Sequence, residues 1–173
     1  QNAVLRGNAS KIDALFLREY LRQRRAIPRP APGREVAGGF TDLGYQGVAR
    51  HVLHASAEQV HVACWPHLRE TYLLASRHYA FEGRAFVLAA ASVLRKADLP
   101  ADFELADDFR SAPETLLVGG SCIIGPDAHY VVEPVYEREE LLVAELDLER
   151  VSEEKLSLDV AGHYNRPDLF DLR

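Results

Sequence analysis

Gly119-Gly120-Ser121-Cys122-Ile123-Ile124-Gly125-Pro126-Asp127, with Tyr130-Val131-Val132-Glu133-Pro134 close behind, reads as a strand, a tight turn and a second strand. Ile123 and Ile124 suit a pleated, covered surface, and Pro126-Asp127 supplies the turn chemistry. Working outward, Leu141–Leu146 is a third strand and Glu149–Leu158 a short helix. Upstream, Ala85–Val93 is a near-continuous apolar run of strand length, the kind covered on both faces. Gln59–Trp65 alternates, with Val60, Val62 and Cys64 on one face and His61, Ala63 and Trp65 on the other. Pro66 is suited to the first position of a helix, here reaching Phe81 with Leu68, Tyr72, Ala75, Tyr79 and Phe81 as its buried stripe. Gly47–Ser56 reads as a helix with Val48, Val52, Leu53 and Ala55 inward, Val36–Thr41 as a short strand, and residues 95–118 as a long acidic loop. Strand and helix alternate and then give way to a strand meander, which predicts a mixed α/β sheet layered with helices.

The 173 residues are enough for one domain, and a hydrophobic content of 47% is enough for a sizeable core. No apolar run reaches the roughly 18 residues that span a bilayer, and no segment resembles a signal peptide, so the expected home is cytoplasmic, with no membrane partner. Cys64 and Cys122 are then expected to be free, buried thiols. The chain starts at Gln1 and contains no Met, which reads as a fragment.

Charge divides the chain. Residues 1–35 hold eight basic side chains against three acidic ones, or +5, while residues 36–173 carry −11. A helix over residues 10–24 is followed by Ile27-Pro28-Arg29-Pro30-Ala31-Pro32-Gly33, an extended arm in which alternate prolines forbid a helix. The basic segment has only Phe16 and Tyr20 as aromatics and adjoins an acidic remainder that repels phosphate, so no nucleic-acid partner is expected. His51, His54, His61, His67 and Cys64 invite a metal reading, but His61 and Cys64 fall on opposite strand faces, so no metal site is expected.

Three segments carry a family resemblance. They are Glu58-Gln59-Val60-His61-Val62-Ala63-Cys64-Trp65-Pro66; the stretch from Ala75 to Val87 that includes Arg77 and Glu82; and the Gly119–Pro126 segment taken with Asp159-Val160-Ala161-Gly162-His163-Tyr164-Asn165-Arg166-Pro167-Asp168. Together they resemble the nitrilase branch of the carbon–nitrogen hydrolase superfamily over residues 47–170. The resemblance implies part of an α-β-β-α sandwich, a four-layer fold incomplete here at its N-terminus. Residues 36–173 are its C-terminal half, and residues 1–35 are an atypical basic, Pro/Arg-rich segment outside it. It also implies hydrolysis of a small nitrile or amide without metal or organic cofactor, and a homo-oligomer. The chemistry it implies is a Cys thiolate attacking the nitrile carbon, a Glu moving protons and a Lys stabilising the developing charge.

Against that pattern, the nucleophile position aligns with Thr41 or Asp42, depending on the end from which one counts, and neither is a cysteine. A threonine hydroxyl with no base beside it is a poor nucleophile at neutral pH. No Glu-Lys-Cys set is expected in this chain, so the expectation is a truncated or inactive hydrolase. The alternative is a non-catalytic interaction module that keeps the oligomer-forming surface. Trp65 and Pro66 are expected to shape the substrate pocket, Glu82 and Arg77 to support the frame around it, and Cys64 to be a buried packing residue.

Overall fold

A computed structural model describes residues 2–6, 36–38, 47–99 and 111–169. The helix expected over residues 10–24, the proline arm and positions 41 and 42 lie outside them. The strands are β1 (Asn2–Arg6), β2 (Val36–Gly38), β3 (Val60–Trp65), β4 (Phe86–Ala91), β5 (Val93–Arg95), β6 (Thr115–Ile124), β7 (Tyr130–Tyr136) and β8 (Leu141–Glu145). The helices are α1 (Gly47–Ala55), α2 (Glu70–Gly83) and α3 (Glu149–Lys155).

Among the described residues, six strands form one sheet in the order β2-β3-β4-β6-β5, with β7 also on β6. The three parallel strands β2, β3 and β4 are joined by helices, as parallel connections require. Strand β6 then turns back antiparallel to β4, pairing Val87 with Ile124 and Ala89 with Cys122. The central strands bury both faces. Ala63, Tyr79, Ala80, Val87, Ala89, Cys122 and Ile124 form a core under the helices. Val60, Phe86, Leu88 and Ile123 meet Leu142 of β8, Leu146 and Val151 of α3 on the opposite side. The layers are therefore helices, six-stranded sheet, and a two-stranded sheet of β1 and β8 with α3 beside it. This is the α/β layering expected from the alternating β3 and the all-apolar β4. The apposition of Ile123 and Ile124 to different cores follows from the two-residue period of a strand.

Several boundaries differ from the sequence reading. Helix α2 begins at Glu70, four residues after Pro66, because the intervening backbone is used across the sheet: Leu68 N donates to Gly119 O (2.7 Å) and Ser92 N to Pro66 O (3.1 Å). The apolar run breaks at Ser92, whose carbonyl accepts from Gly119 N (2.9 Å). Val93–Arg95 then pairs with Thr115–Val118, so both ends of the expected acidic loop are strand. On α2, Ser76, Tyr79, Ala80 and Gly83 are buried, whereas Phe81 is exposed and lies under the Arg84 guanidinium at 4.4 Å. On α1, His54 takes the buried place and Val52 and Ala55 face outward, because Arg50 and His54 turn toward α2. Strand β1 was not visible in the sequence; it pairs antiparallel with β8, from Asn2 opposite Glu145 to Arg6 opposite Leu141.

Candidate functional site

In sheets of this kind, ligands bind beyond the carboxyl ends of the parallel strands. Those ends are Gly38, Trp65 and Ala91, with Trp65 and Ala91 directly opposite each other. Glycines decide the local backbone. Gly119 and Gly120 have φ of 81° and 102°, and a Cβ on Gly120 would stand 2.5 Å from Leu68 O. Only glycine gives the backbone of residues 66–68 room to cross β6. Ser121 completes the stitching: its hydroxyl accepts from Ala91 N (2.9 Å) and donates to Ala91 O (3.2 Å), substituting for a strand partner where β4 ends. A small cleft opens at this edge, between the sheet and β8, over Ala91, Val93, Gly119, Ser121, Val135 and Leu142. Its rim is the β7–β8 loop, where Arg138 pairs with Glu140 at 2.7 Å.

Trp65 sits at this edge, but its ring is buried on the helix side, tilted against Tyr72 with centroids 4.9 Å apart. Pro66 is exposed beside it. His67 follows, and burial and then the charge of Arg69 lower its pKa. Cys64 stands opposite Ala90, half-buried, and burial pushes its thiol pKa up. Cys122 is fully buried, and burial, followed by the nearby Glu133 charge, pushes its pKa up to about 12. The thiolate is the reactive form of cysteine, and burial in apolar surroundings suppresses it.

Glu82 and Arg77 are placed elsewhere. Helix α2 runs back from the Trp65 edge, so Glu82 lies near the start of β4, at the opposite end of the sheet. There its Oε2 accepts from Arg50 Nε (2.7 Å) and stands 3.5 Å from His54 Nε2. His54 and then Arg50, working against burial, hold its pKa down to about 2. Arg77 Nε donates to Ala128 O (2.8 Å) and its guanidinium lies 5.4 Å from the Tyr130 ring centroid, which ties α2 to the β6–β7 turn.

The same end holds a group that the sequence reading missed. Glu58 is buried just ahead of β3; its Oε1 accepts from His61 Nδ1 (2.7 Å) and its Oε2 from Tyr79 Oη (2.6 Å). The His61 and Tyr79 rings stack at 3.9 Å. Burial and then Glu58 raise the Tyr79 pKa far above its usual value, so the phenol keeps its proton and donates. The available signal was the position of Glu58: an acid directly before a buried strand needs partners, as Glu82 does. Among the described residues, no three His, Cys, Asp or Glu side chains converge as metal ligands. Among them, too, no helix is long and apolar enough to cross a membrane.

The carbon–nitrogen hydrolase family model matches residues 40–155, a range that includes Thr41 and Asp42. A nitrilase of Bradyrhizobium diazoefficiens is 39% identical over 123 residues, covering 69% of this chain and 38% of the relative. An aliphatic nitrilase of Rhodococcus rhodochrous is 38% identical over 143 residues, covering 75% of this chain and 37% of its own length. The chain thus spans less than two fifths of these two relatives. A carbon–nitrogen hydrolase from Helicobacter pylori superposes with a TM-score of 0.59 at 16% identity, over 77% of this chain and 46% of that one. A CN-hydrolase superfamily protein from Xanthomonas campestris gives 0.55 at 18%, over 88% and 57%. These structures carry the fold, and the sequence match carries the membership: this chain belongs to the carbon–nitrogen hydrolase family.

Proposed function

We propose that this chain supplies the strand-end frame of a nitrile-hydrolysing site and does not itself turn over nitriles. The reaction is addition of two waters to R–C≡N, giving a carboxylic acid and ammonia; stopping after one water gives the amide. The nitrilase names of the relatives support the substrate class. The stitched edge of Ser92, Gly119 and Ser121 supports the role of frame. In this reading Trp65 and Pro66 bound the substrate space, with Trp65 acting through the packing of its ring.

The observation that carries the second half is the state of the sulfurs. By the family resemblance the nucleophile position aligns with Thr41 or Asp42, neither a cysteine, and burial raises the pKa of both thiols present. The test is ammonia release from aromatic and aliphatic nitriles by the 173-residue chain. The expected result is background. Release above background that disappears in Cys64→Ala would overturn the proposal and make Cys64 a nucleophile.

The same reading includes self-association. Leu141 and Val143, two positions apart on one face of β8, are 46% and 54% exposed and give that strand an apolar face for a second copy. Light scattering should show oligomers, and a clean monomer would remove this part. A cytoplasmic location belongs to the reading as well, and two cysteines outside any disulfide suit a reducing compartment.

A further inference from the structure

Helix α1 starts at Gly47, five residues after Asp42 in the sequence. What holds it is unusual for so short a helix. Nine residues are marginal as an isolated helix, and an apolar face normally supplies the missing stability. Here Val52 and Ala55 face outward, and Leu53 is only partly buried against the helix-side core. Among the described side chains of α1 the buried one is His54, with 4% of the residue exposed. Its ring occupies the space over Gly83, where a Cβ would come within 2.4 Å of Nδ1. One turn earlier, Arg50 Nε reaches Glu82 Oε2 at 2.7 Å, the same oxygen that His54 Nε2 approaches at 3.5 Å. Two α1 side chains at i and i+4 thus converge on one carboxylate oxygen of α2, and that carboxylate is followed by the glycine that admits the imidazole.

We propose that Glu82 is a positioning residue: through Arg50 and His54 it clamps α1 onto α2 and so fixes the helix that leads out of the nucleophile position. The clamp is independent of the catalytic reading, whereas its functional meaning rests on that reading. The groups facing Glu82 are Arg50 and His54 from α1 and Tyr79 from its own helix, with Glu58 and His61 beyond Tyr79. The phenol stays protonated, so Arg50 and His54 are the groups that respond to the Glu82 charge.

The test is amide hydrogen exchange, read separately for α1 and for β4, on the full chain and on Glu82→Gln. The substitution keeps shape and removes charge. Loss of a charge-assisted bond should raise α1 exchange by about fivefold, with β4 exchange rising by no more than that. A pH profile gives a readout that a merely packed glutamate would not produce. Wild-type α1 protection should hold from pH 7 to about 5 and fall as pH drops below about 4, where Glu82 protonates in opened α1. In Glu82→Gln it should already be low at pH 7 and insensitive over that range. Unchanged α1 exchange in the variant would overturn the clamp, and so would a larger increase in β4 than in α1, which marks a loss of stability that does not originate at α1. Because no arm measures turnover, the clamp can fail while the nitrile reading stands, and the reverse also holds.

Discussion

The two ends of the six-stranded sheet are held together by different means. At the amino ends of β3 and β4, side-chain charge does the joining: Glu58 with His61 and Tyr79, Glu82 with Arg50 and His54, and Arg84 with Glu154 at 3.1 Å and with Pro126 O at 3.2 Å. At the carboxyl ends the joining is done by main chain, through Leu68 N to Gly119 O, Ser92 N to Pro66 O and Gly119 N to Ser92 O, with Ser121 filling the last gap. Charged clamps require bulky side chains and partners that exclude other groups. Backbone stitching uses glycine and small residues and leaves open space above them. A charge buried at the amino ends is too far from the carboxyl-end cleft to shift the pKa of a group placed there.

That contrast is most easily broken at Glu58. Glu58→Ala leaves the His61 Nδ1–H and the Tyr79 hydroxyl buried without their acceptor, and removing one partner from such a group costs about 3–5 kcal/mol. Urea unfolding should show a loss of that size, or no folded protein. A loss below about 1 kcal/mol would mean that water reaches the cluster and that the amino end is not held by buried charge. The other end is tested at Gly120, where alanine would meet Leu68 O at 2.5 Å from a backbone with φ of 102°. Relaxing that clash and the left-handed strain should cost about 2–3 kcal/mol. The structural signature should be local, with the Pro66–Leu68 segment displaced and the Glu58 cluster unmoved.

These two residues also show what was legible in the chain. The Gly-Gly-Ser-Cys-Ile-Ile-Gly segment announced its strand and its turn, because glycine, β-branched residues and Pro-Asp constrain the backbone within a few residues. The Gln59–Trp65 alternation and the apolar β4 run were readable for the same reason. Glu58 was not readable as a partner of Tyr79, because 21 positions separate them and only the packing of α2 on β3 brings them together. The start of α2 was misplaced because a local rule, proline at the first helical turn, competed with long-range hydrogen bonds from Ser92 and Gly119 and lost. Strand β1 was missed because Asn2–Arg6 has no alternation of its own and becomes a strand only beside β8. That positions 41 and 42 hold Thr and Asp was a matter of reading residues. The separation of Glu82 from Trp65 was not, because it depends on the direction in which α2 crosses the sheet.

The Glu82 clamp should show a smaller effect in global unfolding, with a sign fixed by its pKa. A carboxylate held at about 2 when folded and near 4.3 when unfolded contributes stability that is fully present above the unfolded value and is lost as pH falls through the folded one. For a side chain that is 28% exposed, solvent screening limits this to about 1 kcal/mol. Melting temperature in Glu82→Gln should therefore lie below wild type at pH 7, with the difference closing between about pH 4 and pH 2. A gap that widened on acidification would reverse the assignment and mean that the carboxylate is strained by its surroundings.

The smallest effect is expected from a carboxylate that resembles Glu58 in bond geometry alone. Asp168 accepts from Arg166 Nε at 2.7 Å and from Arg166 Nη2 at 2.6 Å, two bonds as short as those on Glu58. The Asp168 side chain is 58% exposed, however, and its partner 60%, so the unfolded chain offers both groups equally good bonds to water. The hydrogen bond to Arg166 holds the Asp168 pKa below its usual value, yet both side chains stay largely in water when the pair forms. Asp168→Asn should leave the melting temperature unchanged at moderate salt, while Glu58→Gln, an equally small chemical change, should lower it clearly. If the two variants behaved alike, bond length rather than burial would be setting the energy, and the contrast between the two ends of the sheet would have no thermodynamic content.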